Sequence, residues 1–127
     1  DAAEQAGILG LVNSHPLGFE MPVGERGETL SGGQRSAIAM ARVFLRKPRV
    51  LVMDEPTSAM DQGTEERLTQ QIKTRFSDST LLIITHKMSM LSLVDRLIVV
   101  DRGVIISDGP KSEVLAALKE GKIRGKG

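Results

Sequence analysis

The chain has 127 residues, a formal net charge of +1 and an ordinary share of apolar residues, so it is one globular domain or a piece of one. The charge is too small to indicate nucleic-acid binding by electrostatic attraction alone. The absence of cysteine excludes disulfides and thiolate metal sites, and any Tyr or Trp that stacks on a base would have to come from elsewhere. The apolar runs are far shorter than the ~20 residues of a membrane span, and no signal peptide is visible.

Apolar periodicity and turn residues predict helices and strands that alternate along the chain. The first helix covers residues 2–13 and ends at His15-Pro16, and a loop rich in Gly and Pro continues to residue 30. A helix then runs from its N-cap Ser31 to about Leu45, followed by a buried strand Val50–Met53 and a turn-rich link over 54–61. The next elements are a helix from about Gln62 to Phe76 with Asp61 as N-cap, a buried strand Thr80–Thr85 and a short helix Met88–Leu93. The chain continues with a hairpin of Arg96–Asp101 and Val104–Ser107 and a last helix from Gly109-Pro110 to about Lys119. This alternation is typical of an α/β fold with a parallel sheet.

The segment Ser31-Gly32-Gly33-Gln34 opens the second helix. Taken alone, it is explained by a tight turn and an N-cap. The same physics also suits an anion site, because a helix N-terminus presents free N–H groups and a positive dipole, and glycines let an anion approach the backbone closely.

Three polar residues, Asp54, Glu55 and His86, follow the two apolar strands. They could be a pair of surface capping carboxylates and a structural histidine. However, ligands of a parallel sheet bind beyond the carboxyl ends of its strands, and all three residues are predicted at that edge. There one carboxylate could hold magnesium through its water shell, and its neighbour could orient and deprotonate an attacking water.

The C-terminal residues Lys119, Lys122, Arg124 and Lys126 form a basic tail. The sequence favours a solvated tail over a segment that binds anionic lipid.

Four segments together resemble the nucleotide-binding domain of ABC transporters. Leu30–Gln34 is similar to the family's signature motif, and Val50–Glu55 resembles the Walker B strand with the glutamate that follows it. Ser58-Ala59-Met60-Asp61 resembles the D-loop, with Met60 where Leu is commoner, and Thr85-His86-Lys87 resembles the switch-histidine segment. Because their order and spacing also match, the resemblance covers nearly the whole chain.

A further segment, Val23–Gly27, resembles the X-loop of ABC exporters, which implies that Glu25 and Arg26 couple the domain to a membrane domain. Phe19–Gly27 and the ending Leu118–Arg124 look most like the ATPases of bacterial type I secretion systems. That likeness implies export of polypeptides such as RTX toxins and adhesins.

The resemblance implies ATP and Mg²⁺ as ligands and ATP hydrolysis as the reaction. Asp54 would act on Mg²⁺, Glu55 would be the general base for water, and His86 would contact the γ-phosphate. Asp61 would link the two sites of a dimer. The residues that would contact the ATP held by the opposite protomer are Ser31, Gly32, Gly33 and Gln34.

The partners that the resemblance implies are a second nucleotide-binding domain in a head-to-tail ATP sandwich and the protein's own transmembrane domain. A type I system adds a periplasmic adaptor, an outer-membrane channel and a polypeptide cargo, with no nucleic acid. The expected location is the cytoplasmic face of a bacterial inner membrane, with the chain itself soluble.

The phosphate-wrapping sequence G-x-x-x-x-G-K-[ST] does not occur in the chain. We therefore expect the C-terminal half of a P-loop NTPase core of the ABC type, inactive alone. Its parallel sheet would lack the Walker A strand, expected between the strand that ends at His86 and Leu97–Val100. Residues 1–47 would be the end of the helical subdomain with X-loop and signature, and residues 48–127 the C-terminal part of the ATPase core.

The sequence is compatible with three alternatives. The chain could belong to a lipid, drug or peptide exporter of the same superfamily. It could be part of a soluble ABC ATPase that acts on DNA or ribosomes, although the X-loop argues against that. It could also be a non-catalytic fragment that only dimerises.

Overall fold

The computed structural model describes residues 1–123, which form two compact units, residues 1–89 and 90–123. The prediction of a boundary between residues 47 and 48 is a different division, and it stays a prediction. The elements are α1 (Ala2–Gln5), α2 (Leu9–Ser14), α3 (Gly32–Arg46), β1 (Val50–Asp54), α4 (Gln62–Arg75), β2 (Thr80–Ile84), β3 (Arg96–Asp101), β4 (Val104–Pro110) and α5 (Lys111–Lys119), with short 3-10 helices at Gly18–Glu20, Glu25–Gly27 and Met88–Leu93.

The first unit contains a parallel pair of strands, as predicted. β1 and β2 pair in register from Val50 opposite Thr80 to Asp54 opposite Ile84, and α4 is the crossover between them. The Glu55 N–H extends the pairing by donating to the Ile84 carbonyl at 2.8 Å. The residues that follow both strands therefore lie at one edge of the sheet.

The prediction that both strands are buried is wrong for one face of this pair. Leu51 and Met53 are 6% exposed, whereas Val52 and Leu82 on the other face are 60% and 51% exposed. Alternate residues of a strand point to opposite faces, and the described residues cover only one of them. A continuous apolar run therefore did not mean burial on both sides here.

The helix predicted over 2–13 is also wrong as a single element, because the structure divides it into α1 and α2. Gly7 has a φ of +76°, a left-handed conformation that glycine adopts without a steric penalty. The Ile8 N–H donates to the Ala3 carbonyl at 2.9 Å and the Gly7 N–H to the Glu4 carbonyl at 3.0 Å, which closes the first helix. Apolar residues spaced three apart did not reveal this break.

The second unit is the predicted hairpin followed by α5. Arg102 and Gly103 both have positive φ, as a two-residue turn between antiparallel strands requires. β4 extends to Pro110, beyond the predicted Ser107, so that α5 begins at Lys111 with Pro110 as its N-cap. Of the predicted basic tail, Lys119 and Lys122 are described, whereas Arg124 and Lys126 lie outside the described residues.

The described strands form two separate two-stranded sheets, β1–β2 and β3–β4. No strand of residues 1–123 pairs with both sheets. The position of the missing Walker A strand, between the strand that ends at His86 and Leu97–Val100, stays a prediction. No helix in residues 1–123 is long and apolar enough to cross a membrane.

Candidate active site

The carboxyl edge of the β1–β2 pair brings Glu55 and His86 into contact. The His86 Nδ1 lies 2.6 Å from the Glu55 Oε1, and the Thr85 hydroxyl donates to the Glu55 Oε2 at 3.4 Å. An ionised carboxylate can only accept, so Nδ1 carries the proton of this hydrogen bond. The His86 side chain is 77% exposed, which leaves its other face open to a ligand.

The electrostatics of this pair favour an ionised carboxylate. The hydrogen bond from His86 lowers the pKa of Glu55 from its ordinary value, and partial burial opposes the shift. Glu55 also has a φ of +44°, a backbone conformation that is uncommon for a residue other than glycine. Residues with strained backbone conformations of this kind cluster at functional sites, so the φ of Glu55 supports its assignment to the candidate active site.

Asp54 is the exposed last residue of β1 and lies at the same edge of the sheet. Residues 1–123 contain no group of three or more His, Cys, Asp or Glu side chains that could hold a metal ion. A carboxylate oxygen suits the hard cation Mg²⁺, which commonly keeps several waters and completes its shell with substrate phosphates. The carboxylate of Asp54 therefore suits binding of Mg²⁺ through a bridging water.

The turn at Ser31–Gln34 has the predicted N-cap, in a complete capping box. The Gln34 N–H donates to the Ser31 Oγ at 3.2 Å, and the Ser31 N–H donates to the Gln34 Oε1 at 2.8 Å. The capping box therefore fixes the start of α3 at Ser31 and satisfies two backbone N–H groups there.

The two glycines of this turn have a contact that the sequence did not reveal. A Cβ at Gly33 would lie 2.9 Å from the Ala59 carbonyl oxygen, and one at Gly32 would lie 3.0 Å from the Ala59 Cβ. The turn thus packs against the loop that ends at Asp61. The absence of side chains at Gly32 and Gly33 permits this backbone contact as well as the close approach of an anion.

We expect Gly33→Ala to destabilise the domain by about 1–3 kcal/mol, because the added methyl group meets backbone that cannot rotate away. The measurement is the urea midpoint of the complete nucleotide-binding domain. Gly10→Ala is the matched control, since Gly10 is exposed in α2 and a methyl group added there would have nothing within 4 Å, and we expect it to be neutral or slightly stabilising. Equal midpoints for Gly33→Ala and the unmodified domain would contradict the packing argument.

Asp61 is the N-cap of α4, as predicted. Its two carboxylate oxygens accept from the Thr64 N–H at 3.0 Å and from the Thr64 hydroxyl at 2.7 Å, and these hydrogen bonds lower the pKa of Asp61. Asp61 is exposed and lines, with Ser31, Gly33 and Gln34, a cavity of about 480 Å³. The structure therefore brings Asp61 together with the turn that opens α3.

Glu25 and Arg26 lie in the 3-10 turn Glu25–Gly27, where Arg26 has a φ of +56°. Arg35, a residue that the sequence reasoning did not single out, attaches this turn to α3. Its Nη1 donates to the Leu30 carbonyl at 2.7 Å and to the Gly27 carbonyl at 3.4 Å. The segment over 23–27 is thus tied to the start of the same helix that carries the glycine turn.

The sequence reasoning also missed a buried ionic contact next to His86. Glu65 on α4 is 8% exposed and pairs with Lys87, which also donates to the Thr57 carbonyl at 2.8 Å. The hydrogen bond from Lys87 is the largest cause of a lowered pKa at Glu65. The signal available in the sequence was only a lysine directly after the histidine.

Comparison with known proteins gives one consistent result. The family model described as "ABC transporter" matches residues 5–58. The chain is 41% identical over 117 residues to an "ATP-dependent lipid A-core flippase" of Bordetella pertussis, covering 92% of the chain and 19% of the relative. It is 45% identical over 113 residues to a "Multidrug efflux ATP-binding/permease protein" of Mycobacterium bovis, covering 89% of the chain and 10% of the relative.

A solved structure supports the same fold. The chain matches the "Structure of a bacterial Atm1-family ABC exporter with ATP bound" with a TM-score of 0.83 and 33% identity, covering 91% of the chain and 20% of that structure. The chain therefore spans a fifth or less of the length of these proteins. The α/β fold with a parallel strand pair agrees with that of an ABC ATPase domain.

Proposed function

Because this chain belongs to the ABC transporter family, we propose that it is the C-terminal half of the ATP-binding and ATP-hydrolysing domain of an exporter. The observation that carries this proposal is the 2.6 Å contact between the Glu55 carboxylate and His86 beside Asp54. This arrangement provides a base, a group that can reach a phosphate, and a carboxylate for Mg²⁺ at one edge of a sheet.

Glu55 is the general base in this proposal. Its lowered pKa keeps it ionised at neutral pH, but the hydrogen bond that lowers the pKa also makes it a weaker base. Water activation thus requires His86 to loosen its contact with Glu55. A γ-phosphate that attracts the exposed imidazole provides a reason for that movement.

In this proposal His86 contacts the γ-phosphate. Its hydrogen bond with Glu55 limits which ring nitrogen can donate to a phosphate oxygen. In the neutral ring, the proton on Nδ1 leaves Nε2 without one, so Nε2 could not donate to a phosphate oxygen. Donation to a phosphate oxygen therefore requires a hydrogen on the His86 Nε2, which the contact through Nδ1 does not by itself provide. Mg²⁺ bound through water to Asp54 would neutralise developing phosphate charge.

Ser31, Gly32, Gly33 and Gln34 contact the ATP of the opposite protomer in this proposal, and Asp61 links the two sites. The contact of both glycines with Ala59, in the loop before Asp61, supports a direct link between these two segments. Glu25 and Arg26 couple the domain to the protein's own transmembrane part. The proposed location is the cytoplasmic face of a bacterial inner membrane.

The cargo class that the relatives support is a lipid or drug-like amphiphile. The names of the two relatives describe lipid A-core transport and multidrug efflux. The predicted export of polypeptides, with an adaptor and an outer-membrane channel, depends on the segments Phe19–Gly27 and Leu118–Arg124 alone. Arg124 lies outside the described residues.

The test is MgATP hydrolysis by the complete exporter in proteoliposomes, with lipid A, a hydrophobic dye or an unfolded polypeptide added in separate samples. We expect hydrolysis that the lipid or the dye stimulates and the polypeptide does not. Stimulation by the polypeptide alone would favour the type I secretion alternative. An exporter that hydrolyses no MgATP would contradict the proposed activity.

A further inference from the structure

Glu65 is a buried carboxylate whose two oxygens both have partners. It lies in the first turn of α4 and is 8% exposed, an unusual position for a carboxylate unless it is paired. Its Oε2 accepts from the Lys87 Nζ, and its Oε1 accepts from the Ser89 hydroxyl. Both partners lower the pKa of Glu65, so that it is ionised at neutral pH. Glu65 therefore binds the segment after β2 at two points.

The contacts of Glu65 with Lys87 and Ser89 lie close to the contact between Glu55 and His86. His86 directly precedes Lys87, whose own N–H donates to the Thr85 hydroxyl at 3.0 Å. That hydroxyl donates in turn to the Glu55 Oε2 at 3.4 Å. Anchoring Lys87 thus restrains the backbone that carries His86 and the hydroxyl that contacts Glu55.

The same lysine reaches the loop after Glu55. The Lys87 Nζ donates to the Thr57 carbonyl at 2.8 Å, and this carbonyl also accepts from the Met60 N–H at 3.1 Å. The next residue, Ser58, donates its N–H to the Glu55 carbonyl at 3.2 Å. The contacts of Lys87 therefore join the loop that carries Glu55 to the segment that carries His86.

We propose that Glu65 is a positioning residue for ATP hydrolysis: by holding Lys87 and Ser89, it fixes the backbone on which His86 meets Glu55. This inference rests on the proposed function. Without the carboxylate, the Lys87 ammonium, whose side chain is already 25% exposed, can turn toward water. The Thr57 carbonyl then loses a partner, and the backbone at His86 is no longer held where its side chain can move from Glu55 to the γ-phosphate.

The experiment compares Glu65→Gln with Glu66→Gln in the complete exporter. Glu66 is the matched control because it is exposed on the same helix and accepts from Gln62. We expect Glu65→Gln to lower kcat by about tenfold or more, with KM for MgATP within about twofold, since small misplacements at a reacting centre cost rate rather than binding. Rates are normalised to the amount of protein that binds MgATP, so that a misfolded fraction is not counted. Glu66→Gln is expected to match the unmodified exporter.

A double-mutant cycle with His86→Ala separates positioning from plain loss of stability. If Glu65 acts by placing the backbone that carries His86, the substitution Glu65→Gln has little left to disturb once His86 is already Ala. In the His86→Ala background we therefore expect Glu65→Gln to lower the residual kcat by less than about twofold. A purely structural role lowers kcat by the same factor in both backgrounds.

The outcomes are distinct. A normalised kcat equal to that of the unmodified exporter, or a loss by the same factor with and without His86, would overturn the inference. If Glu65→Gln does not assemble, Ser89→Ala removes one of the two anchors, and a smaller loss of kcat that also disappears in the His86→Ala background is expected. An unchanged kcat in that variant would overturn the inference too. An unmodified exporter without ATPase activity would overturn the proposed function itself.

Discussion

Glu55→Gln in the complete exporter is expected to lower kcat by at least about 100-fold, the usual scale for loss of a positioned general base. Gln has the same size and its amide oxygen can still accept from the His86 Nδ1, so the contact at the sheet edge survives. The amide cannot take a proton from water. Hydrolysis is therefore lost although the fold and the nucleotide site remain.

Binding measured in the same preparation makes this prediction specific. We expect the Kd of Glu55→Gln for MgATP to stay within a few-fold of the unmodified value, by calorimetry or by a fluorescent nucleotide. Glu66→Gln, on the neighbouring helix, is expected to hydrolyse ATP normally. Turnover of Glu55→Gln near that of the unmodified exporter would refute the assignment of Glu55 as the base.

Ser31→Asp is expected to reduce hydrolysis by about 100-fold or more while leaving the stability of the domain nearly unchanged. Asp is as good an N-cap as Ser, so the hydrogen bond from the Gln34 N–H and the start of α3 are retained. The new carboxylate, however, places a negative charge where the proposal has a phosphate oxygen of the partner's ATP. Loss of one well-placed donor to a developing anion costs about 100- to 1,000-fold in other enzymes, and a like charge adds repulsion.

The control for this prediction is Ser31→Asn, which is also a good N-cap but is neutral and can donate a hydrogen bond. We expect it to keep a substantial part of the activity. Thermal unfolding of both variants shows that the cap is intact. If Ser31→Asp and Ser31→Asn hydrolyse ATP equally well, the turn does not face a phosphate, and its capping box is only structural.

The sequence predicted where the two parallel strands end and which polar residues follow them. The carboxyl edge with Asp54, Glu55 and His86 follows from two apolar runs and a crossover helix, because parallel strands end on the same side. The two N-caps, Ser31 and Asp61, were also predictable, since a hydroxyl or carboxylate before a periodic apolar segment satisfies the free N–H groups of a helix.

Other features depended on contacts distant in sequence and could not be predicted. The approach of Gly33 to Ala59, and the pairing of Glu65 with Lys87 across the first unit, bring together residues more than 20 positions apart. The break of the first helix depended on a positive φ at Gly7, which a glycine permits but does not require. The exposure of Val52 and Leu82 depends on whether another described element packs on their face of the β1–β2 pair, and an apolar run does not reveal this.

In the proposed dimer, the Ser31–Gln34 turn and the Glu55–His86 pair of one chain serve two different ATP sites. Mixed dimers test it most directly: one protomer carries Glu55→Gln, the other carries Ser31→Asp, and two affinity tags isolate the mixed form. If the motifs act on opposite sites, both defects fall in one site and the other site is intact. The mixed dimer is then expected to regain up to about half of the unmodified activity, if each site of the symmetric pair works independently. If both motifs serve the same site, each site of the mixed dimer has one defect. A mixed dimer as inactive as its two parents would therefore contradict the assignment of the two motifs to opposite sites.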